Sequence, residues 1–240
     1  MFPIGDQNEP GRGPAVVTLA LIVLNVLVFV FLQQAGAETD FTYGWSAIPR
    51  EITRSVDLVT AQQVRIGGEI FVVPEAPGPD PIQVTLLSSM FMHGGWLHLA
   101  GNMLFLWVFG DNVEHRAGPL LYLLIYLVSG IVGSLAQVLS DPNSVIPTLG
   151  ASGAISGVLG AYLVLFPRNR VLILIVRFPV YVPAIVAIGL WIAFQLVASL
   201  GATESTGGVA YLAHFGGFGT GLLAGLLLRA RPPRRAARSW

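Results

Sequence analysis

The chain of 240 residues contains no cysteine and no lysine, and only 11% of its residues are charged. The absence of cysteine excludes disulfide bridges, thiolate metal sites and cysteine nucleophiles. The low charge argues against an ordinary soluble domain, because such domains carry about 25% charged residues. The formal net charge is zero, so the sequence also predicts no nucleic-acid partner, which a field of basic residues would attract.

Long apolar runs are what the sequence has in abundance. Hydrophobic residues make up 54% of the chain, and six intervals of at least 24 residues contain no Asp, Glu, Lys or Arg. A helix needs about 20 apolar residues to cross a bilayer. The predicted spans are residues 15–34, 95–110, 119–139, 152–166, 179–200 and 210–228. We therefore predict an all-α polytopic membrane protein with six transmembrane helices, whose chemistry takes place inside the membrane.

The arginines indicate how these spans are oriented. All 13 basic residues are arginine, and ten of them fall on the side of the membrane that would hold both termini. Because arginine-rich loops stay in the cytoplasm, we predict a cytoplasmic segment 1–14, a six-helix membrane domain 15–229 and an Arg-rich cytoplasmic tail 230–240. The N-terminus lacks an amphipathic Arg-rich presequence, which favours the inner membrane of a bacterium over a mitochondrion.

One connection in the chain is long. Residues 35–84 join the first two spans and, in this orientation, lie outside the cell. Alternating apolar residues on both sides of Gly67 and Gly68 predict a β-hairpin. A loop of this length is more often functional or interfacial than a plain connector.

Polar residues inside apolar spans are costly and are therefore candidates for function. His98 and Asn102 are four residues apart, so they share a helical face on which two donors could bind a developing negative charge. Ser152 opens the fourth span in a glycine-rich stretch, and the amides of a helix N-terminus can stabilise an oxyanion. Each pattern taken alone also fits ordinary helix packing.

His214 opens the sixth span on the same helical face as a row of glycines. Glycines recur at four-residue spacing after both the serine and the histidine: Gly153 and Gly157 in the fourth span, Gly217 and Gly221 in the sixth. Such rows permit the closest helix contacts in membranes. If the two rows meet, His214 lies beside Ser152, and a serine needs such a base to become nucleophilic at neutral pH.

Together these stretches resemble the rhomboid family of intramembrane serine proteases. They are His98-x-x-x-Asn102, Gly150-Ala-Ser152-Gly153 and Ala213-His214-x-x-Gly217, in this order on three spans. The resemblance implies that Ser152 is the nucleophile and His214 the general base of a dyad. It also implies that His98 and Asn102 line the oxyanion hole, and that His93 supports the active site.

The resemblance further implies that the chain cleaves single-span membrane proteins within or beside their transmembrane helix, in the lipid bilayer and with neither cofactor nor metal. Two features depart from the family pattern. Val84 and Thr85 stand where many members have a Trp-Arg pair. Ser156 stands where many members have an aromatic ring against the catalytic histidine. We expect Ser156 to support the site, and His214 to be either oriented by a different neighbour or held less firmly.

Two other functions remain open from the sequence. A catalytically inactive relative would bind membrane helices without cutting them, although the presence of both Ser152 and His214 argues against it. A small transporter or metal permease could use the four histidines, but no acidic residue accompanies them within a span. Six spans fit all three functions, so only an activity measurement separates them.

Overall fold

The computed structural model describes residues 2–8, 13–66, 68–201 and 209–230, so most of the predicted Arg-rich tail lies outside the described residues. In chain order the α-helices are α1 (Val16–Leu27), α2 (Asp40–Gly44), α3 (Pro49–Arg54), α4 (Thr85–Ser88), α5 (Trp96–Ala117), α6 (Pro119–Ser140), α7 (Ser152–Leu165), α8 (Ala184–Gly201) and α9 (Tyr211–Arg229). The strands are β1 (Phe2–Asp6), β2 (Gln62–Ile66), β3 (Glu69–Val73), β4 (Arg170–Ile175) and β5 (Phe178–Pro183). A π-helical turn, Val28–Leu32, continues α1.

Helix α7 lies at the centre of the bundle. All of its residues from 153 to 162 are buried, and α5, α6 and α9 pack around it. A helix that is apolar on every side buries all of its faces. Because α7 also consists largely of small residues, its neighbours approach it closely. Its first residue, Ser152, therefore lies inside the bundle near one end.

The peripheral helices expose apolar side chains on their outer faces, among them Phe194 and Val197 on α8 and Leu227 on α9. By length and composition, α6 and α9 can each cross a bilayer, as predicted. Among the described residues, the helix Val16–Leu32 and helices α7 and α8 are apolar but shorter. Helices suit a lipid environment because each one satisfies its own backbone hydrogen bonds.

The second predicted span is too short. It ends at residue 110, whereas α5 continues to Ala117 and includes a charged turn. The buried Glu114 carboxylate accepts hydrogen bonds from the backbone N–H groups of Val17 at 3.0 Å and Thr18 at 2.8 Å. This turn of α5 therefore caps the N-terminus of α1, where backbone donors need partners and negative charge is favourable.

The fifth predicted span begins too early, and the prediction of an all-α fold is wrong at this point. Residues 178–183 form strand β5 instead of helix. Their β-branched and aromatic residues favour a strand, and the prolines at 179 and 183 are tolerated because β5 is an edge strand. β5 pairs antiparallel with β4, and β4 pairs with β1, so a three-stranded sheet incorporates part of the polar N-terminal segment.

The predicted hairpin of the long loop is confirmed. Strands β2 and β3 pair antiparallel with Ile66 opposite Glu69. Gly68 has φ of +92°, in the left-handed region that glycine adopts without strain. Ile70 and Val72 on β3 are exposed, so this hairpin projects from the bundle.

Candidate active site

A sharply bent backbone leads into Ser152. Gly150 has φ of +136°, a conformation that residues with a side chain rarely adopt. A Cβ atom at Gly150 would lie 2.9 Å from Cε1 of His98 and 3.6 Å from Oγ of Ser152. Glycine at this position therefore lets the His98 ring approach the hydroxyl of Ser152.

The structure brings Ser152 and His214 together. The Oγ atom of Ser152 lies 2.8 Å from Nε2 of His214, which is hydrogen-bonding distance. His214 is buried on the first turns of α9, while Ser152 is the first residue of α7. A buried imidazole beside a serine hydroxyl is suited to accept the hydroxyl proton.

Direct backbone packing between α7 and α9 makes this distance possible. A Cβ atom on Gly217 would overlap the carbonyl oxygen of Gly153, and a Cβ atom on Gly221 would overlap that of Gly157. The two glycine rows identified in the sequence thus face each other. The helices touch through their main chains, as small residues permit in membrane proteins.

The other ring nitrogen of His214 has a partner that the sequence analysis did not single out. Nδ1 lies 3.2 Å from the side-chain oxygen Oε1 of Gln195 on α8. The ring also lies beside Trp191, with centroids 6.0 Å apart, and Tyr211, with centroids 6.4 Å apart. Gln195 is a polar residue in the middle of the fifth apolar run, so a search of the spans for amides would have found it.

His98 presents a donor toward the serine. Its Nδ1 accepts a hydrogen bond of 3.3 Å from the backbone N–H of Gly94. A neutral imidazole that accepts at Nδ1 carries its proton on Nε2. A Cβ atom placed on Gly150 would lie 3.0 Å from Nε2 of His98 and 3.6 Å from Oγ of Ser152, so this nitrogen is on the side of the ring near the serine. The His98 ring therefore offers an N–H group on the side of the nucleophile.

The side chain of Asn102 is half-buried, and its amide nitrogen is buried without a partner. Its Nδ2 atom makes no hydrogen bond within the described residues. Buried donors in folded proteins are nearly always satisfied, so an exception calls for an explanation. Asn102 lines a cavity of about 560 Å³ together with His98, Ser152 and His214. The four polar residues selected from the sequence thus surround one space, and the amide has no protein partner there.

His93 and Ser156 do not line this cavity. Both polar atoms of the Gln33 side chain bond to the main chain of His93. Oε1 accepts a hydrogen bond from the His93 N–H at 2.8 Å, and Nε2 donates one to the His93 carbonyl at 3.1 Å. The buried His93 ring packs edge-on against His98, with centroids 5.1 Å apart. The Ser156 hydroxyl donates to the carbonyl of Ser152 at 2.6 Å. His93 thus contacts the His98 ring, and Ser156 bonds within its own helix.

No group of three His, Cys, Asp or Glu side chains in the described part of the chain is arranged to hold a metal ion. The His93 and His98 rings pack against each other, and His214 contacts the serine. His115 lies far along α5, where its Nε2 is 2.9 Å from the carbonyl of Gly13. The histidines therefore do not form one common ligand set.

Comparison with known proteins identifies relatives of the chain. A family model described as the Rhomboid domain matches residues 82–231. This stretch includes every polar residue that surrounds the cavity, and it leaves out α1 and most of the long loop.

Three curated relatives illustrate the similarity. Rhomboid protein 1, mitochondrial, of Saccharomyces cerevisiae is 36% identical over 150 residues, which cover 60% of this chain and 41% of the relative. RHOMBOID-like protein 5 of Arabidopsis thaliana is 34% identical over 151 residues, which cover 61% of this chain and 44% of the relative. Rhomboid protease GluP of Bacillus subtilis is 47% identical over 85 residues, which cover 35% of this chain and 16% of the relative. The matches span less than half of the length of each of these relatives.

Proposed function

The chain belongs to the rhomboid family and is a polytopic helical membrane protein, and from this premise we propose that it is an intramembrane serine endopeptidase. One observation carries the proposal: the 2.8 Å contact between Ser152 Oγ and His214 Nε2. Two residues that lie 62 positions apart in the chain meet inside an apolar bundle, at the distance needed for proton transfer. A merely structural serine would not require a buried imidazole at this distance.

In the proposed reaction, Oγ of Ser152 attacks the scissile carbonyl carbon while its proton passes to Nε2 of His214. The tetrahedral intermediate then breaks its C–N bond, and His214 gives the proton to the leaving amine. A water molecule next attacks the acyl-enzyme, transferring a proton to His214, and the C–Oγ bond breaks as Ser152 recovers its proton. His214 therefore acts first as base and then as acid in each half of the reaction.

The oxyanion of each intermediate needs donors that are already oriented. His98 and Asn102 line the cavity beside Ser152, and the Nε2–H group of His98 and the unpartnered Nδ2 of Asn102 are the candidate donors. The backbone N–H of Ser152, at the start of α7, is a third candidate, since the first amides of a helix lack intrahelical partners. Donors that are already oriented stabilise the transition state strongly, because they need no reorganisation as the charge develops.

The substrate we propose is a single-span membrane protein that is cut within or beside its transmembrane helix. The cavity at Ser152 shares four lining residues with a second, largely apolar cavity of about 420 Å³ between α5 and α8: Phe105, Leu159, Trp191 and Gln195. This apolar groove suits a segment that arrives from lipid. A helix hydrogen-bonds its own carbonyls, so the segment must unwind, and small or helix-breaking residues near the cleavage point favour that.

The proposed setting is the inner membrane of a bacterium, with six spans and both termini in the cytoplasm. The arginine distribution supports this orientation. In this orientation Ser152, at the start of α7, lies toward the outer side of the membrane, where we propose that water reaches it. An inactive helix-binding relative remains the second candidate function, and the catalytic geometry of Ser152 and His214 weighs against it.

The deciding experiment compares four purified proteins in liposomes with a single-span model substrate: wild type, Ser152→Ala, His214→Ala and the double variant. Cleavage is expected from the wild type alone, and the double variant should be no worse than either single one, because nucleophile and base act as one unit. Ser140→Ala, which removes an exposed hydroxyl at the end of α6, is the matched control and should remain active.

A fluorophosphonate probe gives a second measurement. It should label Ser152 only while His214 is present. Substantial cleavage by either single variant would disprove the dyad. A wild-type protein that binds the model substrate but neither cleaves it nor takes the label would favour the inactive helix-binding function.

A further inference from the structure

Helix α8 is attached to the bundle by little besides apolar contacts. Its side chains Phe194, Val197 and Leu200 are exposed, and its one serine, Ser199, bonds to a carbonyl of its own helix at 2.8 Å. Within the described ranges, Gln195 makes the only side-chain hydrogen bond that joins α8 to another element. That bond ends on His214.

The two hydrogen bonds of His214 fix which nitrogen carries the proton. The side-chain oxygen of Gln195 can only accept, so the proton between Oε1 and Nδ1 belongs to the imidazole. Nε2 then has a free lone pair, directed at the hydroxyl of Ser152 at 2.8 Å. This is the tautomer that a general base for Ser152 needs.

The ring's other neighbours cannot make this selection. Trp191 and Tyr211 contact the imidazole through their rings and limit its position. Ring contacts are nearly indifferent to which nitrogen is protonated, and the two neutral tautomers of a free imidazole have similar energies. Without an acceptor at Nδ1, a fraction of the molecules would present an N–H group to Ser152 and could not accept its proton.

We propose that Gln195 is a positioning residue that holds His214 in its catalytic tautomer, so that the site operates as a serine, a histidine and a neutral amide. The inference rests on the proposed protease function. An amide selects the tautomer as a carboxylate would, and it does so without placing a formal charge in an apolar bundle. It also orients the imidazolium that forms when His214 takes the proton.

The test replaces Gln195 by residues of similar size. Gln195→Met removes the acceptor and is expected to lower kcat about 3- to 10-fold, as for the loss of one neutral hydrogen bond, with KM within about twofold. Gln195→Glu retains an acceptor at the same place and should restore kcat to within about twofold of wild type at its own pH optimum. Ser199→Ala is the matched control on α8 and should match wild type.

The readouts separate positioning from simple packing. Labelling of Ser152 by a fluorophosphonate should slow in Gln195→Met by the same factor as kcat, with little change in Tm. The inference is overturned if Gln195→Met keeps the wild-type kcat, or if it loses activity through a raised KM and a lowered Tm that Gln195→Glu does not rescue. A wild-type protein that neither cleaves nor labels would instead overturn the proposed function itself.

Discussion

At the scale of single residues, replacement of Asn102 is expected to lower activity without lowering stability. Its Nδ2 is buried without a partner, so the folded state gains nothing from that donor. In the proposed mechanism, the donor acts only when the oxyanion forms. We predict that Asn102→Ala lowers kcat about 10²- to 10³-fold, the usual cost of losing one oxyanion donor, while Tm is unchanged or slightly higher.

Cleavage assays and thermal melting on the same preparation check this prediction. A fully active Asn102→Ala protein would show that Asn102 is not an oxyanion donor and serves only in helix packing. Loss of activity together with a fall in Tm would mean that the amide has a structural partner. His98→Ala is a poorer test, because the His98 ring also packs against His93 and accepts the N–H of Gly94.

At the scale of elements, the contact between α7 and α9 predicts the effect of adding one methyl group. A Cβ atom on Gly217 already overlaps the main chain of α7, so even Gly217→Ala must push the helices apart. Overpacking of this kind costs about 1–3 kcal/mol. A shift of about 1 Å between Ser152 and His214 would reduce the rate about 100-fold.

Gly219 supplies the matched control on the same helix. A Cβ atom there meets nothing within 4 Å. Gly219→Ala should therefore retain activity and raise stability by about 0.5–1 kcal/mol, because alanine favours a helix over glycine. The measurement is cleavage rate and Tm for both variants. Equal behaviour of Gly217→Ala and Gly219→Ala would refute the close packing of α7 on α9.

The long loop contains two acidic residues that predict pH-dependent stability, the buried Glu51 and the half-buried Glu75. Burial, together with nearby carboxylates that include Glu51, raises the pKa of Glu75 from 4.5 to about 8. Burial likewise raises the pKa of Glu51 to about 7. A carboxyl with a raised folded-state pKa binds a proton that the unfolded chain releases. The protonated Glu75 carboxyl therefore contributes its full stabilisation below about pH 4.5, and this contribution is lost as the pH rises toward 8.

We therefore predict that wild-type Tm falls between pH 6 and pH 9, and that it falls less in Glu75→Gln, which replaces the acid by a neutral group of the same shape. The advantage of the variant should grow with pH. Glu69→Gln on the exposed turn of the β2–β3 hairpin is the control and should leave the slope as it is in wild type. Parallel slopes for Glu75→Gln and wild type would contradict the assignment.

At the scale of the whole molecule, the absence of cysteine allows a direct test of orientation. Val72 on β3 and Val176, between β4 and β5, are both exposed, and the proposed topology puts them on opposite sides of the membrane. In intact bacterial cells, a maleimide that cannot cross membranes should label Val72→Cys and should label Val176→Cys only after lysis. The reverse pattern would invert the proposed topology.

The sequence by itself determined the membrane class and most helix positions. Charge-free runs are properties of a local segment, so α6 and α9 could be placed closely from composition alone. The spacing of the glycines around Ser152 and His214 likewise indicated two helices that could approach each other. The β2–β3 hairpin followed from its turn residues for the same local reason.

The tertiary structure alone decided what depends on distant segments meeting. The strand pairing of β1 with β4 joins residues about 170 positions apart, and the capping of α1 by Glu114 joins residues 96 positions apart, so neither has a local signal. Gln195 is the clearest case. Its residue type and its place in an apolar run are visible in the sequence, but only the packing of α8 beside α9 brings its oxygen to Nδ1 of His214.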